Sequence, residues 1–222
     1  MQDKNDQVVA RLQKLEKFKE MGIEAYPHSF NRSHDSCLLK EKKEEFLANE
    51  TTISFAGRVV RFNRKGKVCF MHLKDRYGRL QVVCARDIVG EENYEVVKLI
   101  DLGDFIGVEG VMFETQTGEY SVKVSSVKML SKAVRPLPTP KEKIDENGNK
   151  IIFNEFADVD TRYRQRYTDM ALNDDVKDVF IKRSKIMQSI REYLIEQDFI
   201  EVETPTLQPI YGGANARPFT TH

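Results

Sequence analysis

Residues 52–86 read TISFAGRVVRFNRKGKVCFMHLKDRYGRLQVVCAR, and their alternation decides the fold. Ile53, Phe55, Gly57 and Val59 share one parity, as do Cys69, Met71 and Leu73, and then Leu80, Val82 and Cys84. A period of two is the pattern of a strand with one buried face. Turn signals at Lys65-Gly66 and Tyr77-Gly78 divide the stretch into strands at about 52–62, 67–75 and 79–86. Two more strands are expected at about 104–115 and 119–130, joined at Thr117-Gly118. Between the third and fourth strands, EENYEVVKLIDLG sets Tyr94, Val97 and Ile100 on one helical face and ends at Gly103. Five strands with a helix between the third and fourth is the layout of an OB-fold, a small barrel that commonly binds oligonucleotides. Gly57 suits the bend that such a barrel needs.

Working outward, residues 5–21 predict an amphipathic helix through Val8, Leu12, Leu15 and Phe18, closed by Gly22 and Pro27. A second, Lys- and Glu-rich helix is expected over 35–48, with Ser33 or Asp35 as its cap. After the barrel, KAVRPLPTPKEKIDENGNK (132–150) carries three prolines, charge and an Asn-Gly, and reads as a linker. A second domain is expected from about 151. Its main element is a helix over 174–197, with Val176, Val179/Phe180, Ile186/Met187, Ile190 and Leu194 on one face. The run Phe199-Ile-Glu-Val-Glu203 predicts a strand stopped by Thr204-Pro205. The sequence ends at Phe219-Thr-Thr-His222 without a closing element, which reads as truncation inside a domain.

Lysine plus arginine number 35 and aspartate plus glutamate 35, so net charge argues neither for nor against a nucleic-acid partner. The local balance is more informative. Residues 58–86 hold nine basic side chains against one acid, Asp75. No apolar run is long enough to span a membrane, and the first ten residues lack the hydrophobic core of a secretory signal. Cys37, Cys69 and Cys84 are odd in number and lack CxxC spacing, so reduced thiols in a cytosolic protein are expected rather than a disulfide framework or a zinc site.

Parity points Arg58, Phe70, Gln81 and Glu119 away from the core, with His72 on the same side. A single-stranded base needs a plane to stack on, polar groups for its edge and cations for its phosphates. Phe70 offers the plane. Gln81 offers donor and acceptor, and Glu119 an acceptor. Arg64, Lys65, Lys67, Arg76 and Arg79 are candidates for phosphate contact. The plainer alternative is that Phe70 packs under a loop and the cations form a solvated face. Catalytic signals are sparse. There is no GxxxxGK[ST] or GxGxxG, and His28, His34, His72 and His222 show no metal spacing. The Arg162-Tyr-Arg-Gln-Arg-Tyr167 run is either a phosphate patch or a structural segment paired with Asp158 and Asp160. Gly212-Gly213-Ala214 either admits a ligand to the backbone or forms a turn.

The stretch FIEVETPTLQPIYGGANARPFTTH (199–222) resembles motif 1 and the following loop of class II lysyl-tRNA synthetases. The resemblance extends to Ala56-Gly57-Arg58, Gly66-Lys67, Thr117-Gly118-Glu119, the Leu130–Ala133 to Arg135–Pro138 connection and Arg162–Tyr167. Aspartyl and asparaginyl enzymes share the barrel, but their post-motif loops differ, and GGANARPF is the specific feature. The resemblance implies an α+β, mainly β chain. Its parts would be an N-terminal helical extension (1–50), an OB-fold anticodon-binding barrel (51–131), a linker (132–150) and the truncated start of a class II α/β catalytic domain (151–222). It further implies that Phe70, Gln81 and Glu119 read the central U of the tRNA(Lys) anticodon, with Arg58 a further contact. Gly212, Gly213 and Ala214 would lie beside the lysine substrate. Motif 1, including Pro205, would form a homodimer interface.

The full-length enzyme would use ATP and Mg2+ to form lysyl-adenylate from L-lysine and transfer it to tRNA(Lys) in the cytoplasm. The family's motifs 2 and 3 are not in this sequence, so these residues alone are expected to bind RNA but not to catalyse. A stand-alone OB-fold RNA-binding or regulatory protein derived from such an enzyme is the alternative. Whether the reading frame continues past His222 separates the two.

Overall fold

A computed structural model describes residues 6–138, 141–144, 150–153, 156–207, 217 and 219. The chain divides into two compact units, Met1–Pro138 and Thr139–His222.

In the first unit, helix α1 (Asp6–Glu20) buries Phe18 and half-buries Val8, Leu12 and Leu15, the face its periodicity predicts. It stops at Gly22, whose φ of 69° is readily adopted only by glycine. The expected second helix is two short ones, α2 (Ser36–Glu41) and α3 (Lys43–Asn49), and Asp35 caps the first by accepting from the Leu38 N–H at 2.9 Å. Strands β1 (Ile53–Lys65), β2 (Val68–Lys74), β3 (Arg79–Ala85), β4 (Phe105–Glu114) and β5 (Tyr120–Ser131) close into a barrel in the order β1-β2-β3-β5-β4. The β3–β5 pair is parallel, and β4 returns antiparallel to β1. Helices α4 (Arg86–Val89) and α5 (Glu91–Leu99) lie between β3 and β4, where one helix was expected. The core includes Phe55, Met71, Leu73, Ile106, Val108 and Met129 from the barrel, and it continues into Phe18, Leu39 and Phe46 of the N-terminal helices. The N-terminal segment is therefore part of one unit with the barrel rather than an appendage.

Two local features set the geometry of the outer surface. Gly57 lies where a β-carbon would stand 2.9 Å from the Lys74 carbonyl oxygen, so it permits close approach of β2. Two residues later the β1–β2 register slips. Val59 faces Leu73 while Arg61 faces His72, which leaves Val60 as the extra residue of a bulge. Beyond it the parity of β1 inverts. Phe62 turns to the core side, while Arg61, Asn63 and Lys65 share the face of Phe70 and His72.

In the second unit, β6 (Lys141–Ile144) pairs antiparallel with β7 (Lys150–Phe153). Part of the stretch read as a linker is therefore a hairpin strand. The Asn147-Gly148 pair read as a turn signal lies outside the described residues. Helices α6 (Val159–Arg164), α7 (Arg166–Leu172) and α8 (Asp174–Glu196) follow. The strand expected over 199–203 is not formed. Phe199–Glu203 has no ladder partner among the described residues, and a lone strand has no hydrogen bonds of its own.

Candidate nucleic-acid interface

A cleft of about 270 Å³ opens on the outer face of the barrel. Arg61, Asn63 and Lys65 come to it from β1, Phe70 and His72 from β2, Gln81 from β3, and Thr115, Thr117 and Glu119 from the β4–β5 turn. Three residues picked from sequence, Phe70, Gln81 and Glu119, thus meet in one place although they lie on three separate segments. Phe70 is half-buried, with Asn63 and Val83 as its cross-strand neighbours. It is neither sealed into the core nor fully in water, and it lines the cleft.

The polar groups of the cleft are ordered by a short chain of hydrogen bonds. The Ser121 hydroxyl donates to the Glu119 carbonyl oxygen at 3.0 Å, so it must accept from Gln81, whose Nε2 lies 2.9 Å away. That fixes the buried Gln81 amide with its nitrogen toward Ser121 and leaves Oε1 and the second N–H for another partner. The Glu119 backbone N–H donates to Thr115 Oγ1 at 2.9 Å, and the turn closes through Gly118, whose φ is 78°. His72 Nε2 lies 2.9 Å from Glu119 Oε1. The cleft therefore holds an aromatic plane, an amide and a carboxylate within reach of one planar, edge-polar ligand.

The cations divide into groups. Lys65 lines this cleft. Arg79 lines a neighbouring hollow of about 560 Å³ together with Lys40, Lys43 and Tyr120, and that hollow shares Arg61, His72, Gln81 and Glu119 with the first. Burial raises the Tyr120 phenol to about 12, with Glu44 adding to the shift. Lys67 is exposed at the β1–β2 turn, and Arg76 stands beside the Tyr77 ring, 5.7 Å from its centre.

Arg58 and Arg64 are elsewhere. Arg58 lies on the near side of the bulge, 4.2 Å over the Phe105 ring, and donates to the Gly103 carbonyl at 3.1 Å. Burial lowers its pKa. Arg64 follows the inverted parity of Phe62 into a separate hollow with Lys14, Lys98 and Asp101. Strict alternation missed Arg61 and Asn63. The signal was present in Val59-Val60-Arg61-Phe62, where an apolar residue returns on the wrong parity.

Cys69 and Cys84 are buried opposite each other on β2 and β3, and burial pushes the Cys69 thiol up to about 11 and the Cys84 thiol higher. Both are therefore protonated and inert at neutral pH. In the second unit, the Arg162–Tyr167 run is a structural knot. Fully buried Asp169 accepts from Arg162 Nε at 3.0 Å, Arg166 at 2.6 Å and Asn173 at 2.7 Å. Burial pushes its carboxyl up, but the bonds from Asn173 and Arg162 outweigh it and the pKa ends low. Arg164 pairs with Asp160 at 2.7 Å, and Asp158 caps α6 through the Thr161 N–H. Pro205 is exposed in irregular chain, and Gly212, Gly213 and Ala214 lie outside the described residues. Among the described residues no group of three or more His, Cys, Asp or Glu could hold a metal ion, and no helix is long and apolar enough to cross a membrane. The described residues do not make a seat for Mg2+.

Comparison with known proteins agrees with this division. Residues 53–130 match the OB-fold nucleic acid binding domain family, and residues 158–222 match the family described as tRNA synthetases class II (D, K and N). Over residues 158–222 the chain is thus similar to the class II tRNA synthetases of that group. Over its whole length it is similar to lysine–tRNA ligases, with 44% identity to those of Staphylococcus epidermidis and Streptococcus pneumoniae and 42% to that of Staphylococcus saprophyticus. It spans 44% of the length of both staphylococcal relatives and 43% of the streptococcal one.

Proposed function

We propose that the barrel reads the anticodon of tRNA(Lys), with the central U lying on Phe70 and its edge against Gln81 and Glu119. The observation that carries this reading is the convergence of those three side chains in one cleft, flanked by cations. Uracil offers an N3–H donor, which a carboxylate accepts, and carbonyl oxygens, which the remaining Gln81 N–H can reach. Cytosine presents a lone pair at N3, so Glu119 meets it with like polarity. Lys65, Lys67, Arg76 and Arg79, joined by Arg61, supply the phosphate contacts; Arg58 and Arg64 stand apart and are assigned no base contact. The Phe70→Ala exchange should weaken binding of a tRNA(Lys) anticodon stem-loop, measured by fluorescence anisotropy, by about 1–3 kcal/mol. Unchanged affinity would leave only a generic basic surface.

For the whole protein, the relation to lysine–tRNA ligases supports lysine activation with ATP and Mg2+ followed by transfer to tRNA(Lys) in the cytoplasm. The backbone around Gly212–Ala214 would contribute to the lysine site. The α8 helix and Pro205 would contribute to a homodimer face. On α8, Ile186, Ile190, Tyr193 and Leu194 are exposed and line an open apolar hollow of about 420 Å³, the kind of surface that a partner covers.

A further inference from the structure

We propose that His72 is a positioning residue for base choice: its ring nitrogen holds one oxygen of the Glu119 carboxylate, so that the other is presented to the N–H edge of the bound base. The proposal rests on the anticodon reading above and adds a residue to it. Glu119 sits at the end of a turn, and its side chain is 48% exposed. An exposed glutamate has three rotors and spends much of its time pointing elsewhere. His72 is a different kind of group. Its side chain is only 15% exposed, it projects from the middle of β2, and its neighbours across the sheet are Arg61 on β1 and Gln81 on β3. It is a fixed point in a barrel, set 2.9 Å from Glu119 Oε1.

The backbone of Glu119 is pinned separately, by Thr115 Oγ1 on its N–H and by Ser121 on its carbonyl. With both ends of the residue held, the freedom left to the carboxylate is the freedom that His72 removes. Among the described residues Glu119 Oε2 takes no hydrogen bond, so a residue that lines the cleft keeps an open acceptor. A base with N–H at that edge satisfies it. A base with a lone pair there leaves a carboxylate desolvated without a donor, which is where discrimination arises.

The test compares stem-loops carrying U or C at the central anticodon position, bound to wild type, His72→Ala, His72→Gln and His72→Leu, with thermal melts on each protein. Gln places an amide N–H near the position of imidazole Nε2, while Leu fills the space without a donor. His72→Ala and His72→Leu should lower the U-over-C ratio about tenfold, the order of the rotamer freedom a glutamate loses when fixed, with the salt slope of binding unchanged. His72→Gln should keep most of the ratio. If wild type prefers U and the Ala and Leu variants keep that preference, His72 positions nothing. If Gln loses the ratio as fully as Leu, the hydrogen bond is not the means and the proposal is overturned. A wild type without preference for U removes the anticodon reading itself, and this inference falls with it. Should Ala fail to fold, Leu and Gln decide the matter.

Discussion

Replacing Lys132 with methionine should destabilise the first unit by more than any exchange on its surface. The Lys132 ammonium is completely buried, 2.6 Å from Asp101 Oδ2, 2.7 Å from Asp104 Oδ2 and 3.1 Å from the Leu99 carbonyl. Asp104 is also fully buried, while Asp101 keeps a second partner in Lys14. Methionine preserves length and apolar volume but leaves Asp104 with its charge and only the backbone N–H groups of Asp101 and Ala133, at 2.7 and 2.8 Å. Removing one partner of a buried pair costs about 3–5 kcal/mol. The two surviving N–H bonds and Lys14 place the expected loss near the lower end, about 3 kcal/mol, or roughly 10 °C in Tm for a unit of this size.

Urea denaturation followed by far-UV dichroism measures the loss. The double variant Lys132→Met/Asp104→Asn should recover part of it, because no unpaired charge then remains. The pH profile is a second readout. Burial pushes the Asp101 carboxyl up, but bonds from Lys132 and Lys14 outweigh it and hold the pKa below the ordinary value. That stability is present above about pH 3.9, the unfolded value, and is lost as pH falls through the lower folded value. Lys132→Met should weaken this acid dependence. A loss under about 1 kcal/mol, the range of an exposed pair, or strict additivity in the double variant, would refute the buried-pair reasoning.

Other outcomes follow from the same geometry. At Gly110 a β-carbon would stand 2.1 Å from the Lys123 carbonyl oxygen, so Gly110→Ala should cost about 2 kcal/mol or more, read as a lower Tm. Lys67→Ala should weaken binding of all RNAs alike and reduce the salt slope by about one, which titrations at several salt concentrations would show. Ile190→Glu, on the exposed apolar face of α8, should shift sedimentation toward the monomer if that face meets a second copy; an unchanged distribution would remove the dimer reading.

The barrel was legible because long runs within its strands keep their parity. Ile53 through Val59, Cys69 through Leu73 and Leu80 through Cys84 alternate, and each run is a strand with that face inward. The cleft was legible as far as the same rule held. Phe70, Gln81 and Glu119 met as expected, and Arg58 did not join them because parity reports a face and not a position along the strand. The Val60 bulge hid Arg61 and Asn63, since a one-residue slip inverts everything after it. Buried polar pairs such as Lys132 with Asp104 lie 28 residues apart and carry no local pattern. The 199–203 run has the composition of a strand, but a strand is a property of a pair, and composition alone names no partner.

The central claim is that Glu119 and Gln81 choose the base while Phe70 holds it. The most direct measurement is the affinity of the 222-residue chain for stem-loops identical except at the central anticodon base, taken for wild type and Glu119→Gln. Wild type should bind U more tightly than C by about 1–3 kcal/mol, the worth of a well-made set of base-edge contacts. Glu119→Gln should remove most of that difference, because an amide can donate to cytosine N3 as well as accept from uracil, while affinity for the U stem-loop falls less. Equal affinity of wild type for U and C, or a preference that survives Glu119→Gln intact, would contradict the account.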